Sequence, residues 1–129
     1  MLFGDDGKHE KFKAVYKAVL EAHEAVKEGL RAGMTSHEGD KLARDVLEKY
    51  GYAEYFTHSL GHGIGLNIHE FPSLRRGGEE TLENGMVFSD EPGVYVAGEY
   101  GIRIEDTVTL KNGKVFSFMS KTDRNLIIL

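Results

Sequence analysis

TVTLKNGKVFSF, residues Thr107 to Phe118, decides the fold: side chains alternate on both sides of Asn112-Gly113, the dipeptide that best fits a two-residue hairpin turn. Period two on either side of that turn predicts two antiparallel strands. Working back toward the N-terminus, the same alternation covers Ile102-Arg103-Ile104, Val94-Tyr95-Val96 and Met86-Val87-Phe88. The second half of the chain is therefore expected to be a mostly antiparallel sheet.

Ahead of it the period changes. Phe12, Val15, Tyr16, Val19, Ala22, Val26 and Leu30 recur at three- and four-residue steps, which predicts an amphipathic helix from about His9 to Ala32, stopped at Gly33. Thr35 and Glu38 form a capping-box pair, and Leu42, Ala43, Val46, Leu47 and Tyr50 supply the apolar stripe of a second helix ending near Gly51. Two helices followed by a sheet make an α+β chain, read as a single domain over residues 1–129. Ser73 to Asn84, SLRRGGEETLEN, reads as a surface loop.

Composition narrows the function. The chain has 40% hydrophobic and 29% charged residues, close to globular averages. Lys+Arg number 16 against Asp+Glu 21, a net charge of -5 with no basic stripe, which argues against a nucleic-acid partner. No apolar run approaches the roughly 18 residues of a membrane span, and the opening MLFGDDGK is unlike a signal peptide, so no membrane partner and a cytoplasmic location are expected. With no cysteine, any metal must be held by His, Asp and Glu.

HSLGHGIGLNIHE, His58 to Glu70, places three histidines among glycines. His58 and His62 have the spacing of helical zinc motifs, but Gly61, Gly63 and Gly65 oppose a helix and the accompanying Glu is missing. An irregular strand is the better reading. His62 and His69 would then fall on opposite faces unless a bulge re-aims one of them. His9, His23 and His37 are read as ordinary satisfied histidines. Further on, Glu91-Pro92-Gly93 brings an acid into an apolar strand, with Asp90 expected on the opposite face so that only one of the two need be inside. In GIRIED, Gly101 to Asp106, Arg103 and Glu105 share a face one pleat apart. Together these residues are a kit for metal-assisted hydrolysis, in which carboxylates hold divalent ions, a bound water is acidified, and His or Arg steadies the oxyanion.

HSLGHGIGLNIHE, NGMVFSDEPGVYV and GIRIEDTVTL, in that order and spacing, resemble the Xaa-Pro dipeptidase (prolidase) and aminopeptidase P branch of the pita-bread metallopeptidases. The resemblance implies a pita-bread fold and a two-metal site, with Mn, Co or Zn held by two Asp, one His and two Glu. It places His62, Glu91 and Glu105 as metal ligands, with Glu91 also the acid/base. His58, His69 and Arg103 match positions that bind substrate and stabilise its tetrahedral intermediate. The substrates implied are short proline-containing peptides. In relatives the two Asp come from a strand hairpin ahead of the first helix, and neither Asp5 nor Asp6 matches them. The expectation is thus an incomplete catalytic domain, roughly its last three-fifths, with weak or single-metal binding and little activity alone. A second reading, different in class, is a non-catalytic binding module on the same fold. An unpaired sheet edge would favour a homo-oligomer.

Overall fold

The computed structural model describes residues 9–66 and 70–127. Helix α1 spans Glu10–Gly29 and α2 spans Ser36–Lys49, followed by a single 3-10 turn over Ala53–Tyr55. The strands are β1 (Gly61–Gly63), β2 (Glu70–Leu74), β3 (Val87–Asp90), β4 (Gly93–Val96), β5 (Tyr100–Arg103), β6 (Asp106–Lys111) and β7 (Lys114–Ser117). They form a five-stranded sheet of order β2-β1-β3-β6-β7 and a separate β4-β5 ribbon, with antiparallel pairing throughout both. The α+β arrangement follows the sequence reading. Strands β2 and β7 are the edges.

Local chemistry sets each helix boundary. In α1 the stripe Val15, Ala18, Val19, Ala22 and Val26 is fully buried. The helix ends earlier than expected, because Leu30 turns extended as its cap, and Gly33 (φ +96) serves the following turn. In α2 the capping box is complete: the Thr35 hydroxyl accepts from the Glu38 amide at 3.2 Å, and Glu38 Oε2 accepts from the Thr35 amide at 2.8 Å. Thr35→Ala is expected to cost about 1 kcal/mol in urea denaturation. A loss under about 0.3 kcal/mol would mean that water caps the helix equally well.

The sheet half follows its turns. Asn112 (φ 51) and Gly113 (φ 79) both take the left-handed conformation that a primed hairpin turn requires, and β6 and β7 pair across them with Lys111 opposite Lys114. Along β6, Val108 and Leu110 are buried while Thr107 and Thr109 are half-buried. Phe88, at the centre of the sheet, packs with Leu30, Leu47, Leu60, Leu74, Leu82 and Leu110 in one core. The Ser73–Asn84 segment corrects the loop expectation at its ends. Leu74 closes β2 and Leu82 is fully buried, while Thr81 bridges to Thr35 and ties the segment to α2.

Candidate metal centre

The site is assembled on three stretches of backbone. His62 lies in β1, between glycines whose lack of a side chain is required. A Cβ on Gly61 would sit 1.7 Å from the Ser89 carbonyl oxygen, and one on Gly63 would sit 2.0 Å from that of Phe71. The pairing of β1 with β2 also shifts register between His62 and Gly63. This is the irregular strand that the sequence anticipated, with its break in register directly after His62. His69 and the pair Asp5 and Asp6 lie outside the described residues.

The His62 ring is oriented from behind. Its Nδ1 lies 3.0 Å from the Gly63 carbonyl. A carbonyl only accepts, so the ring hydrogen belongs on Nδ1 and the Nε2 lone pair faces outward. Nε2 stands 3.8 Å from Glu91 Oε2, with both side chains mostly buried. Glu91 follows β3, and its amide donates to the Leu60 carbonyl at 2.9 Å.

Glu105 completes the group from the connection between β5 and β6. Burial, then a hydrogen bond with Glu91 and that group's charge, hold the Glu105 carboxyl above the ordinary carboxylate range, while Arg103 and His62 pull the other way. Arg103 Nε is 3.7 Å from Glu105 Oε2, and both side chains are about half exposed. The face shared by Arg103 and Glu105 is therefore present. Glu91 touches both of its neighbours, so the trio is a chain. Among the described residues no three His, Asp or Glu side chains close around one point.

The contacts of His58 are to other residues. Its Nδ1 lies 2.7 Å from the Ser59 carbonyl and its Nε2 lies 2.8 Å from the Tyr95 hydroxyl, while Phe56 packs edge-on against the ring. Tyr95 is a contact the sequence reading did not single out. Its only signal there was its position in β4, four residues after Glu91. The segment carrying His58 is tied down by α2. Arg44 forks onto both oxygens of buried Asp40 at 2.6 and 3.0 Å, and donates to the carbonyls of Phe56 and His58.

Asp90, beside the trio, corrects an expectation. Asp90 does point away from Glu91, but it is fully buried, so both acids are inside. The reason is that β3 is covered on both faces, with Phe88, Ser89 and Asp90 all buried. Asp90 faces Asp106 across the β3–β6 ladder, and His23 from α1 enters between them. His23 Nδ1 is 2.8 Å from Asp90 Oδ2, and Nε2 is 3.1 Å from Asp106 Oδ2. The first approach is close, yet among the described residues neither Asp90 oxygen has an aligned hydrogen bond. At that separation, between two groups sealed from water, it is an electrostatic contact rather than a directed bond. Burial raises the Asp90 carboxyl to about 6, opposed by His23. Asp106 also accepts from Ser117 Oγ at 3.0 Å and from Arg124 at 2.5 Å.

The sequence matches the profile of Metallopeptidase family M24 over residues 1–112. The chain belongs to metallopeptidase family M24. Among M24 relatives it is 46% identical over 120 residues to the Xaa-Pro dipeptidase of Pyrococcus horikoshii, covering 92% of this chain and 34% of that protein. It is likewise 46% identical over 121 residues to the Xaa-Pro dipeptidase of Lactobacillus helveticus, covering 93% of this chain and 32% of that protein. A solved dipeptidase from Pyrococcus horikoshii superposes with a TM-score of 0.89 at 42% identity, over 98% of this chain and 35% of that one. A prolidase from Thermococcus sibiricus superposes with a TM-score of 0.87 at 42% identity, over 93% of this chain and 32% of that one. The fold is thus that of the pita-bread metallopeptidases. The chain spans about a third of the length of these M24 relatives. Among the described residues, no helix is long and apolar enough to cross a membrane.

Proposed function

We propose that this chain supplies His62, Glu91 and Glu105 to the metal centre of a cytoplasmic Xaa-Pro peptidase that hydrolyses the bond before proline in short peptides. The observation that carries the reading is the meeting of those three side chains, from β1, the end of β3 and the start of β6, in a member of family M24. Two carboxyls pressed together beside an outward-facing imidazole nitrogen form a nitrogen and oxygen donor set that asks for a cation or a shared proton. The donor chemistry fits Mn, Co or Zn, and Mn is the ion proposed.

When bound, a divalent ion supplies Lewis acidity for the peptide carbonyl and acidifies water. The chain's own residues do the rest. Glu91 takes the proton of the attacking water and passes it to the leaving nitrogen. Arg103, half exposed and ion-paired with Glu105, offers a cation to a substrate carboxylate or to the developing oxyanion. His58, its ring fixed by Ser59 and Tyr95, and His69 are both proposed for substrate binding on the motif alone.

The alternative, a non-catalytic pita-bread binding module, is favoured by one observation: the trio does not close around a point among the described residues. Titration of the chain with Mn2+, together with an assay on an Xaa-Pro dipeptide, separates the two. The expected result is weak uptake of one ion with little turnover. No uptake would favour the binding module, and tight uptake of two ions with turnover would show that the chain carries a full ligand set.

A further inference from the structure

Two aspartates directly opposite one another in an antiparallel ladder, both sealed from water, are unfavourable on their own. Asp90 and Asp106 are such a pair, and the group between them is His23, fully buried in the apolar stripe of α1. Replacing a buried charged cluster by well-packed apolar side chains is often neutral or stabilising, so the cluster calls for a reason beyond packing. Its position supplies one. Each aspartate is the immediate neighbour of a site carboxylate, Asp90 of Glu91 and Asp106 of Glu105. Successive residues of an extended chain point to opposite faces, so the aspartates face α1 while the glutamates meet on the far side.

We propose that His23 is a positioning residue for the metal-binding carboxylates: by touching Asp90 and Asp106 at once, it fixes the separation of Glu91 and Glu105. This rests on the reading of those glutamates as ligands. The two arms are unequal. Asp106 is also held by Ser117 and Arg124, whereas neither Asp90 oxygen has an aligned hydrogen bond among the described residues. His23 therefore acts chiefly on the Asp90–Glu91 end, and removing it loosens Glu91 more than Glu105.

Two variants of the whole chain test this. His23→Gln keeps a polar group that can reach one acid. His23→Leu combined with Asp90→Asn removes the histidine without leaving Asp90 as an unpaired buried charge. Amide exchange in the metal-free chain is read at Glu91, whose N–H donates to Leu60, and, beside Asp106, at Phe118, whose N–H donates to Thr107. The expected result is a rise in exchange at Glu91 of about tenfold beyond that of the α1 core amides, with Phe118 following the core. Mn2+ affinity is expected to fall by about 10- to 100-fold, the usual cost of losing a partner that orients a ligand. Exchange that rises equally at Glu91, Phe118 and the core would reduce His23 to a structural residue and overturn the proposal. So would unchanged Mn2+ affinity in a folded variant, or failure of both variants to fold. If the parent chain takes up no Mn2+, the ligand reading fails by itself, and the exchange measurement decides the role of His23 alone.

Discussion

Arg44→Ala is expected to destabilise the fold by about 3–5 kcal/mol, because it strands a buried carboxylate without its cation. Asp40 is 1% exposed, and both of its oxygens are occupied by the Arg44 guanidinium. Asp40 Oδ1 also accepts from the Leu60 amide at 3.0 Å, and Arg44 holds the Phe56 and His58 carbonyls. One side chain thus links α2 to the whole segment entering β1. Arg44→Lys is expected to recover only part of the loss, since an ammonium cannot fork onto a carboxylate and reach two carbonyls at once. Chemical denaturation of the three proteins measures it. A loss below about 1 kcal/mol for Arg44→Ala would show that the pair behaves as a screened surface ion pair.

Glu91→Gln separates binding from stability. Partners that only orient a ligand are worth about 10- to 100-fold in metal affinity, so loss of the central carboxylate is expected to weaken Mn2+ uptake by at least about 100-fold. The metal-free protein should keep its melting temperature or gain slightly, because the charge crowding Glu105 is gone. The pH dependence in the parent follows from the direction of the Glu105 shift. Its carboxyl stays protonated to higher pH in the folded chain than in the unfolded one. Folding stability from this group is therefore greatest at acid pH and declines as pH rises through the folded value. Mn2+ uptake runs the opposite way, strengthening over that same interval as the competing proton leaves. Calorimetric titration of both proteins at several pH values checks each part. A variant that melts much earlier than the parent would mean that Glu91 supports the fold.

What the sequence disclosed divides along physical lines. The capping box at Thr35, the apolar stripe of α1 and the Asn112-Gly113 turn are local devices whose partners lie within a few residues, and each was legible. The meeting of His62, Glu91 and Glu105 depends on strand order, which no local pattern encodes; only the resemblance of three motif blocks indicated it. Asp90 departs from the expectation because alternation presumes one wet face, and β3 has none. His23 carries a signal of its own. It falls on the same helical stripe as Val19 and Val26, where a polar side chain must find partners from another part of the chain.

The reach of those contacts bears on the order in which the molecule can be made. His23 and Asp106 are 83 positions apart, and the Tyr16 hydroxyl donates to the Arg124 carbonyl across 108. While the polypeptide is still emerging from the ribosome, α1 and α2 can pair early, since they are neighbours in sequence. The buried acids beneath the glutamates acquire their full set of partners only when the segment around Arg124 has been synthesised. A nascent chain arrested before that point holds the histidine and both glutamates, yet has an unfinished foundation under them.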